Sequence, residues 1–331
     1  MNWMKTGAIF LGLGLIGVGG ILFSKFYQPN VLGVVSPLVD DTETVTAKRI
    51  IFDRKTIDNF PPNTFFPKTL TPKFSESLDV SAQAYAVMER HGRELLFSKN
   101  LTQELPIASV AKIMTTLVAL EKSRLDQELK VSSAAVSIGE AQMGLTSGES
   151  VAVEDLLYGL MLPSGNDAAE TLAEGLGPGR SAFIQSMNET ARRLGMLDTF
   201  FYNPTGLDGE TRDKTTFSTP LDLLSLTNYA LTNPTFAQVV ATYYKEIPYL
   251  EDKHKAFYLY NILQLERSYP GIKGVKPGVT DFAGETLVSY AENGGKQIII
   301  ILLNTQHSLD DAVKIYDVIF NKLGVKVSGR S

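Results

Sequence analysis

Three short segments of the chain contain residue types that together can carry out acyl transfer through a serine. In residues 106–115 (PIASVAKIMT), Ser109 begins an apolar helical pattern and Lys112 lies three residues later. Side chains at this spacing share a helix face. Burial lowers the pKa of a lysine, which suits it to take a proton from a serine hydroxyl. A helix-capping serine followed by a solvated lysine is the simpler interpretation, since S-x-x-K arises about once by chance in a chain this long.

The second and third segments supply further polar groups. In residues 160–169 (LMLPSGNDAA), Pro163 ends one helix, and the turn after it presents Ser164 and Asn166, which otherwise serve as helix caps. Residues 271–280 (GIKGVKPGVT) place Lys276 and Gly278 on the approach to a strand. Taken alone, this third segment indicates only a glycine-rich strand entry.

In this order the three segments resemble the S-x-x-K, S-[DN]-N and K-T-G signature of penicillin-binding proteins and class A β-lactamases. The flanks resemble the low-molecular-mass penicillin-binding proteins, which are serine D-alanyl-D-alanine carboxypeptidases, over about residues 80–325. The stretches that carry this resemblance are residues 85–88 (YAVM), 107–115, 154–169, 201–207 (FYNPTGL) and 280–284 (TDFAG).

The resemblance implies a role for each matching residue. Ser109 would be the nucleophile, Lys112 its base, and Ser164 the relay that passes a proton to the departing D-alanine. Asn166 would hold Lys112 and the substrate amide. Lys276 would attract the substrate carboxylate and lower the pKa of Lys112 by its charge. Gly278 would let the peptide approach, and the backbone N–H groups of Ser109 and Val279 would form the oxyanion hole.

Position 277 departs from this family, because proline stands where the family has a threonine whose hydroxyl helps to bind the substrate carboxylate. Alternation along the strand puts the nitrogen of Pro277 on the same side as that of Val279, facing the cleft, so no sheet hydrogen bond need be lost. Thr280 has the wrong parity to replace the missing hydroxyl. The substitution therefore bears on substrate affinity and not on the fold.

The resemblance implies an α+β fold of the D,D-peptidase/β-lactamase type, in which helices flank a mainly antiparallel sheet and a helical subdomain carries Ser164. The expected substrates are peptidoglycan stem peptides ending in D-Ala-D-Ala, the expected inhibitors are β-lactams, and no metal or organic cofactor is implied. The alternatives are a D,D-endopeptidase of the same family, a β-lactamase, and a catalytically weak wall-binding protein. A class A β-lactamase is disfavoured, because residues 167–275 lack a Glu-x-x-Leu-Asn segment.

Local patterns predict the elements that must position these residues. A hairpin is expected over residues 83–97, followed by helices at 109–122, 154–162, 167–175, 181–194 and 220–231. Strands are expected at 285–292 and 296–303, and a closing helix at 309–323. Strands at both ends of a helical middle predict one sheet assembled from distant parts of the chain.

The N-terminal residues predict where in the cell the protein is located. Residues 6–23 form an uncharged apolar run of 18 residues between Lys5 and Lys25, without a clear A-x-A cleavage pattern after it. Residues 1–24 are therefore expected to be a membrane anchor, or else a cleaved signal peptide. The expected divisions that follow are a proline-rich extracytoplasmic stalk at 25–78, the catalytic domain at 79–325 and a tail at 326–331.

The net charge of −5 gives no basic surface for nucleic acid, and the absence of cysteine excludes thiolate chemistry.

Overall fold

The computed structural model describes residues 65–328, which form eleven strands and nine α-helices. The strands are β1 Ala84–Glu89, β2 Glu94–Lys99, β3 Leu105–Pro106, β4 Glu128–Lys130, β5 Ser150–Ala152, β6 Phe217–Ser218, β7 Tyr244–Ile247, β8 Phe257–Tyr260, β9 Ile272–Thr280, β10 Gly284–Asn293 and β11 Lys296–Thr305. The helices are α1 Lys112–Lys122, α2 Ser133–Ser137, α3 Val153–Met161, α4 Asn166–Gly175, α5 Arg180–Arg193, α6 Pro220–Ala230, α7 Pro234–Ala241, α8 Leu265–Ser268 and α9 Ser308–Lys322.

The main sheet has five antiparallel strands in the order β2-β1-β11-β10-β9. β11 is apolar along most of its length, as a strand covered on both faces must be. Its alternate residues separate into two cores: Ile299, Ile301 and Leu303 pack with the helices of one layer, and Ile298 and Ile300 pack with α9 on the other. The predicted pairing of strands from the two ends of the domain, and with it the α+β fold, is confirmed.

The helical subdomain lies between β3 and β6 in the sequence and contains α1 to α5. α1 is buried along most of its length, from Lys112 to Ala119. A one-turn 3₁₀ helix, Ala108–Ala111, precedes it, so the α-helix predicted from residue 109 begins at Lys112 instead. The 3₁₀ turn follows β3 directly and places Ser109 against β9, at the edge of the main sheet.

Residues 65–78 pack on the domain, although the sequence assigned them to the stalk. Lys73 and Phe74 donate backbone hydrogen bonds to the carbonyl oxygens of Leu95 and Leu96, at 2.8 and 3.1 Å, and so cover the free edge of β2. The Phe74 ring packs on Phe97. The folded domain therefore begins before Asp79, the predicted boundary, because an uncovered strand edge gains these backbone partners.

Several predicted segments lie outside the described residues. These are the N-terminal anchor or signal at 1–24, residues 25–64 of the stalk and residues 329–331 of the tail. Between residues 65 and 328, no helix is long and apolar enough to cross a membrane.

Candidate active site

The side chains of Ser109 and Lys112 meet at the junction of the 3₁₀ helix and α1. The Lys112 Nζ lies 2.9 Å from the Ser109 Oγ, as the three-residue spacing predicts. The same nitrogen donates to the Asn166 Oδ1 at 2.7 Å and to the Thr205 carbonyl oxygen at 2.8 Å. Three acceptors thus surround a side chain that has no exposed surface.

Burial lowers the pKa of Lys112 to about 7, against the opposing influence of the Glu140, Glu170 and Asp167 carboxylates. A lysine with this pKa is substantially neutral near neutral pH and can accept a proton. The Ser109 hydroxyl is the nearest group able to supply one. The pair therefore has the geometry and the proton affinity of a nucleophile and its base.

Ser164 reaches the same point from the turn between α3 and α4. Its Oγ lies 3.1 Å from the Ser109 Oγ. Ser164 has a φ of 66° and Ala108, the residue before Ser109, a φ of 48°, values that side-chain-bearing residues rarely adopt. Left-handed backbone thus occurs at or beside both serines, where the chain turns sharply enough to present a hydroxyl.

A loop formed by residues 139–145 clamps this turn. Asn166 donates from its backbone to the Ala141 carbonyl oxygen at 2.8 Å and from its side chain to the Gly139 carbonyl oxygen at 3.1 Å. Buried Asp167 completes the clamp by accepting the backbone N–H groups of three consecutive loop residues, Met143, Gly144 and Leu145, at 2.8 to 2.9 Å. Sequence reasoning assigned Asp167 no role, because these partners lie more than 20 residues away.

Residues 201–207 (FYNPTGL), which the sequence indicated only as part of the family resemblance, contact Lys112. The Asn203 side chain accepts from Thr205 and Gly206 and fixes the turn that aims the Thr205 carbonyl at Lys112. A Cβ added at Gly206 would lie 1.9 Å from the Ala108 carbonyl oxygen. Only glycine fits there, so the sequence signal for this support was the Thr205-Gly206 pair.

The third segment forms β9, the edge strand of the main sheet. A Cβ added at Gly278 would lie 2.7 Å from the Ser109 backbone nitrogen, so glycine permits this contact. The residue before Val279 thus lies against the Ser109 backbone, as an oxyanion hole formed by the N–H groups of Ser109 and Val279 would require. The Val279 side chain is 67% exposed, and β9 pairs with a strand on one side only, so its other edge can accept a substrate strand. Two neighbouring N–H groups of this kind can stabilise an oxyanion.

Lys276 is fully buried, and its Nζ donates to the Pro277 carbonyl oxygen at 3.0 Å. Burial, and then the charge of Lys112, hold the pKa of Lys276 well below its usual value. Burial is also the largest cause of the lowered pKa of Lys112, as the apolar helix around it predicts. An additional effect of the Lys276 charge on the pKa of Lys112 stays a prediction. A bound carboxylate would favour the charged form of Lys276.

Pro277 occupies a position that tolerates proline, because β9 pairs only with β10 and lies at the sheet edge. The Thr280 hydroxyl, which was judged unable to replace the missing threonine, donates to the Asp208 Oδ1 at 2.8 Å. That hydroxyl is committed to the turn after β9. The described residues thus bring Ser109, Lys112 and Ser164 together beside β9, without a hydroxyl at position 277.

The sequence profile of the D-alanyl-D-alanine carboxypeptidase family matches residues 71–307. This match spans more than half of the chain and contains all three segments of the site. The chain belongs to the D-alanyl-D-alanine carboxypeptidase family.

The chain is similar both to carboxypeptidases and to endopeptidases of this family. It is 32% identical over 235 residues to D-alanyl-D-alanine carboxypeptidase DacF of Bacillus subtilis, an alignment that covers 70% of this chain and 59% of that protein. It is 28% identical over 243 residues to a D-alanyl-D-alanine endopeptidase of Pseudomonas aeruginosa, covering 72% of this chain and 75% of that protein. The crystal structure of a D-alanyl-D-alanine carboxypeptidase from Mycobacterium tuberculosis superposes with a TM-score of 0.70 at 31% identity, covering 76% of this chain and 96% of the other.

The alignment with the Bacillus subtilis relative thus spans about three fifths of that protein's length. In this chain the site described above lies at the edge of the main sheet, where β9 meets the 3₁₀ helix and the turn between α3 and α4. Within residues 65–328 no cluster of three or more histidine and carboxylate side chains has the arrangement of a metal site.

Proposed function

We propose that this protein is a serine D-Ala-D-Ala carboxypeptidase that trims peptidoglycan stem peptides through an acyl-enzyme on Ser109. The observation that carries the proposal is the cluster of three side chains in which the Ser109 Oγ lies 2.9 Å from the Lys112 Nζ and 3.1 Å from the Ser164 Oγ. Membership of the D-alanyl-D-alanine carboxypeptidase family supports the same substrate class.

In the proposed acylation step, neutral Lys112 takes the proton of the Ser109 hydroxyl as the Oγ attacks the carbonyl carbon of the penultimate D-alanine. The negative charge that develops on the carbonyl oxygen is stabilised by the N–H groups of Ser109 and Val279. Asn166 and the Thr205 carbonyl hold the resulting ammonium by accepting its other hydrogens. The proton then passes through Ser164 to the departing amine, D-alanine leaves, and water later hydrolyses the ester.

Recognition of the substrate carboxylate is the part of this proposal on which Pro277 bears. Lys276 and Gly278 remain available, but position 277 offers no hydroxyl and Thr280 is engaged by Asp208. A weakened carboxylate site favours the alternative of a D,D-endopeptidase, whose substrate continues beyond the scissile bond. It also favours a weakly catalytic wall-binding protein.

Product analysis separates these functions. The full-length protein in detergent is incubated with a stem pentapeptide ending in D-Ala-D-Ala and, separately, with a cross-linked peptide dimer, with Ser109→Ala as the control. A carboxypeptidase releases free D-alanine from the pentapeptide faster than it separates the dimer. The reverse preference would assign an endopeptidase, and penicillin binding without either product would leave the wall-binding function.

We further propose that the protein is a single-pass membrane protein with its catalytic domain outside the cell membrane. The support is the 18-residue apolar run at 6–23 between Lys5 and Lys25. Intact-mass measurement on protein extracted from native membranes tests it. A mature product that retains residues 1–25 is expected, whereas a product that begins after residue 25 would identify a cleaved signal peptide.

A further inference from the structure

The β7–β8 hairpin presents aromatic side chains to solvent. Residues Ile247, Phe257 and Leu259 face inward and are buried, as alternation along a strand requires. On the outer face Tyr258 is 61% exposed and Tyr260 56% exposed. The solvated face of an antiparallel sheet is ordinarily polar. Burial in the core therefore does not explain the tyrosines on the outer face.

The exposed rings of Tyr244, Tyr258 and Tyr260, with the half-buried ring of Tyr243, form one surface, which we name the tyrosine surface. The Tyr260 ring centroid lies 4.7 Å from that of Tyr244 and 6.2 Å from that of Tyr243. Beside it is a cavity of about 310 Å³, lined by Tyr243, Tyr260, Asn261, Ile262, Gln264 and Arg267. The surface thus combines flat apolar ring faces with hydroxyl, amide and guanidinium groups.

The tyrosine surface is connected to the candidate active site through the backbone. Directly after β8, the Ile262 N–H donates to the Leu162 carbonyl oxygen at 3.1 Å, and Leu162 lies two residues before Ser164. The Ser164 Oγ lies 3.1 Å from the Ser109 Oγ. With consecutive Cα atoms 3.8 Å apart, Ile262 lies within roughly 20 Å of the Ser109 hydroxyl.

We propose that the tyrosine surface binds the glycan strand to which the peptide substrate is attached. This inference rests on the proposed function, because the glycan is the part of peptidoglycan that carries the stem peptide. An extended peptide of five residues spans roughly 17 Å. A peptide whose end is at Ser109 is therefore long enough to bring its sugar to the hairpin. The C–H faces of a sugar ring fit on tyrosine rings, while its hydroxyl and acetamido groups fit the polar rim.

The charges around the hairpin favour this occupant over an anionic lipid surface. The three lysines near the hairpin contact other parts of the protein: Lys253 pairs with Glu128, Lys255 donates to the Thr146 hydroxyl at 2.6 Å, and the Lys245 Nζ lies 4.7 Å from the centre of the Tyr158 ring. Arg267 is then the basic side chain that lines the cavity, and a single cation is not a basic cluster. Glu246 lies opposite Tyr258 on the outer face. Binding to anionic lipid requires a cluster of basic side chains, whereas a neutral sugar does not.

The test compares two substrates with the same peptide. Full-length protein in detergent is assayed on the free pentapeptide and on the pentapeptide attached to its disaccharide. The double variant Tyr258→Thr/Tyr260→Thr keeps strand-forming residues and removes both ring faces. The control Tyr258→Phe/Tyr260→Phe keeps the ring faces, and Leu309→Thr removes an exposed apolar side chain from α9.

The wild type is expected to prefer the disaccharide-linked peptide, and the threonine double variant to lose roughly 5- to 20-fold of kcat/KM on it. The free peptide and the rate of penicillin acylation should change less than about twofold. The phenylalanine variant and Leu309→Thr should match the wild type on both substrates. Equal losses on both substrates would assign the rings a structural role, and no preference in the wild type would overturn the proposal.

A binding assay separates this proposal from the proposed function. The same proteins are sedimented with insoluble glycan freed of its peptides and, in parallel, floated with vesicles that contain anionic lipid. Retention on glycan by the wild type and loss in the threonine variant would support the tyrosine surface even if neither peptide is cleaved. Residues 6–23 are expected to insert into vesicles with or without the two tyrosines, so flotation is compared between neutral and anionic vesicles. A preference of the wild type for anionic vesicles that the threonine variant lacks, without retention on glycan, would replace the glycan with a membrane surface.

Discussion

The Asp167 clamp makes a prediction that depends on individual hydrogen bonds. The Asp167 Oδ1 accepts the N–H groups of Met143 and Ala168, and its Oδ2 accepts those of Gly144 and Leu145. Asp167→Asn keeps one oxygen and replaces the other with an NH₂ group. Two buried N–H donors then face another donor.

Leaving one buried donor without a partner costs about 1–3 kcal/mol. Two such donors would cost roughly 2–6 kcal/mol, and relaxation of the loop should bring the loss to about 2–4 kcal/mol. The loop also supplies the Gly139 and Ala141 carbonyls that hold Asn166, a partner of Lys112. Displacement of Asn166 should slow acylation by penicillin roughly 10- to 100-fold in protein that is still folded. The Asp167 charge raises the pKa of Lys112. Its loss should therefore lower that pKa and shift the acidic limb of the pH profile for acylation to lower pH.

The assay is urea unfolding together with stopped-flow acylation by a reporter penicillin. Asp126→Asn is the matched control, because it makes the same chemical change in an exposed carboxylate paired with Arg124. The control should stay within about 0.5 kcal/mol of the wild type and acylate at the same rate. If Asp167→Asn matches Asp126→Asn in both measurements, the clamp does not position the site.

Two further predictions concern the pH dependence and the carboxylate site. Because burial lowers the pKa of Lys112 to about 7, the second-order rate constant for acylation should rise with pH through a midpoint near 7 as the lysine becomes neutral. A stopped-flow pH series measures it, and a rate that is constant from about pH 5 to 9 would exclude Lys112 as the base. Pro277→Thr should raise kcat/KM on D-Ala-D-Ala peptides about 3- to 30-fold, since a hydrogen bond to a charged group is typically worth ~1.5–3 kcal/mol and an unadapted site recovers part of it. Lower activity in a folded variant would show that Pro277 is adapted to another ligand.

The parts of the fold and site that could be predicted from sequence are those set by local periodicity. The contact between Ser109 and Lys112 follows from helical spacing, and the two-sided core of β11 follows from its apolar run. The β7–β8 hairpin was missed because its alternation extends over only four residues in each strand. The Thr205-Gly206 pair indicates a turn, but the hydrogen bond from Lys112 to the Thr205 carbonyl could not be predicted, because a backbone carbonyl leaves no residue-type signal and its partner lies 93 residues away.

The pKa of Lys276 shows why electrostatics were harder to predict than contacts. Sequence places Lys112 and Lys276 in one site, but it does not show how deeply each is buried. Burial is the largest cause of the lowered pKa of both Lys112 and Lys276. Which of the two lysines keeps its charge therefore depends on how several distant elements pack around each one. The domain boundary depended on packing in the same way, since residues 65–78 gain their partners only along β2.

The central claim is that Ser109 is the nucleophile, and mass spectrometry of the penicillin-treated protein tests it most directly. Trypsin releases residues 100–112 (NLTQELPIASVAK), a peptide in which Ser109 is the only serine. The account predicts a penicilloyl adduct on this peptide in the wild type, fragment ions that place it on Ser109, and no adduct in Ser109→Ala. An adduct on another peptide, or undiminished labelling of Ser109→Ala, would contradict it.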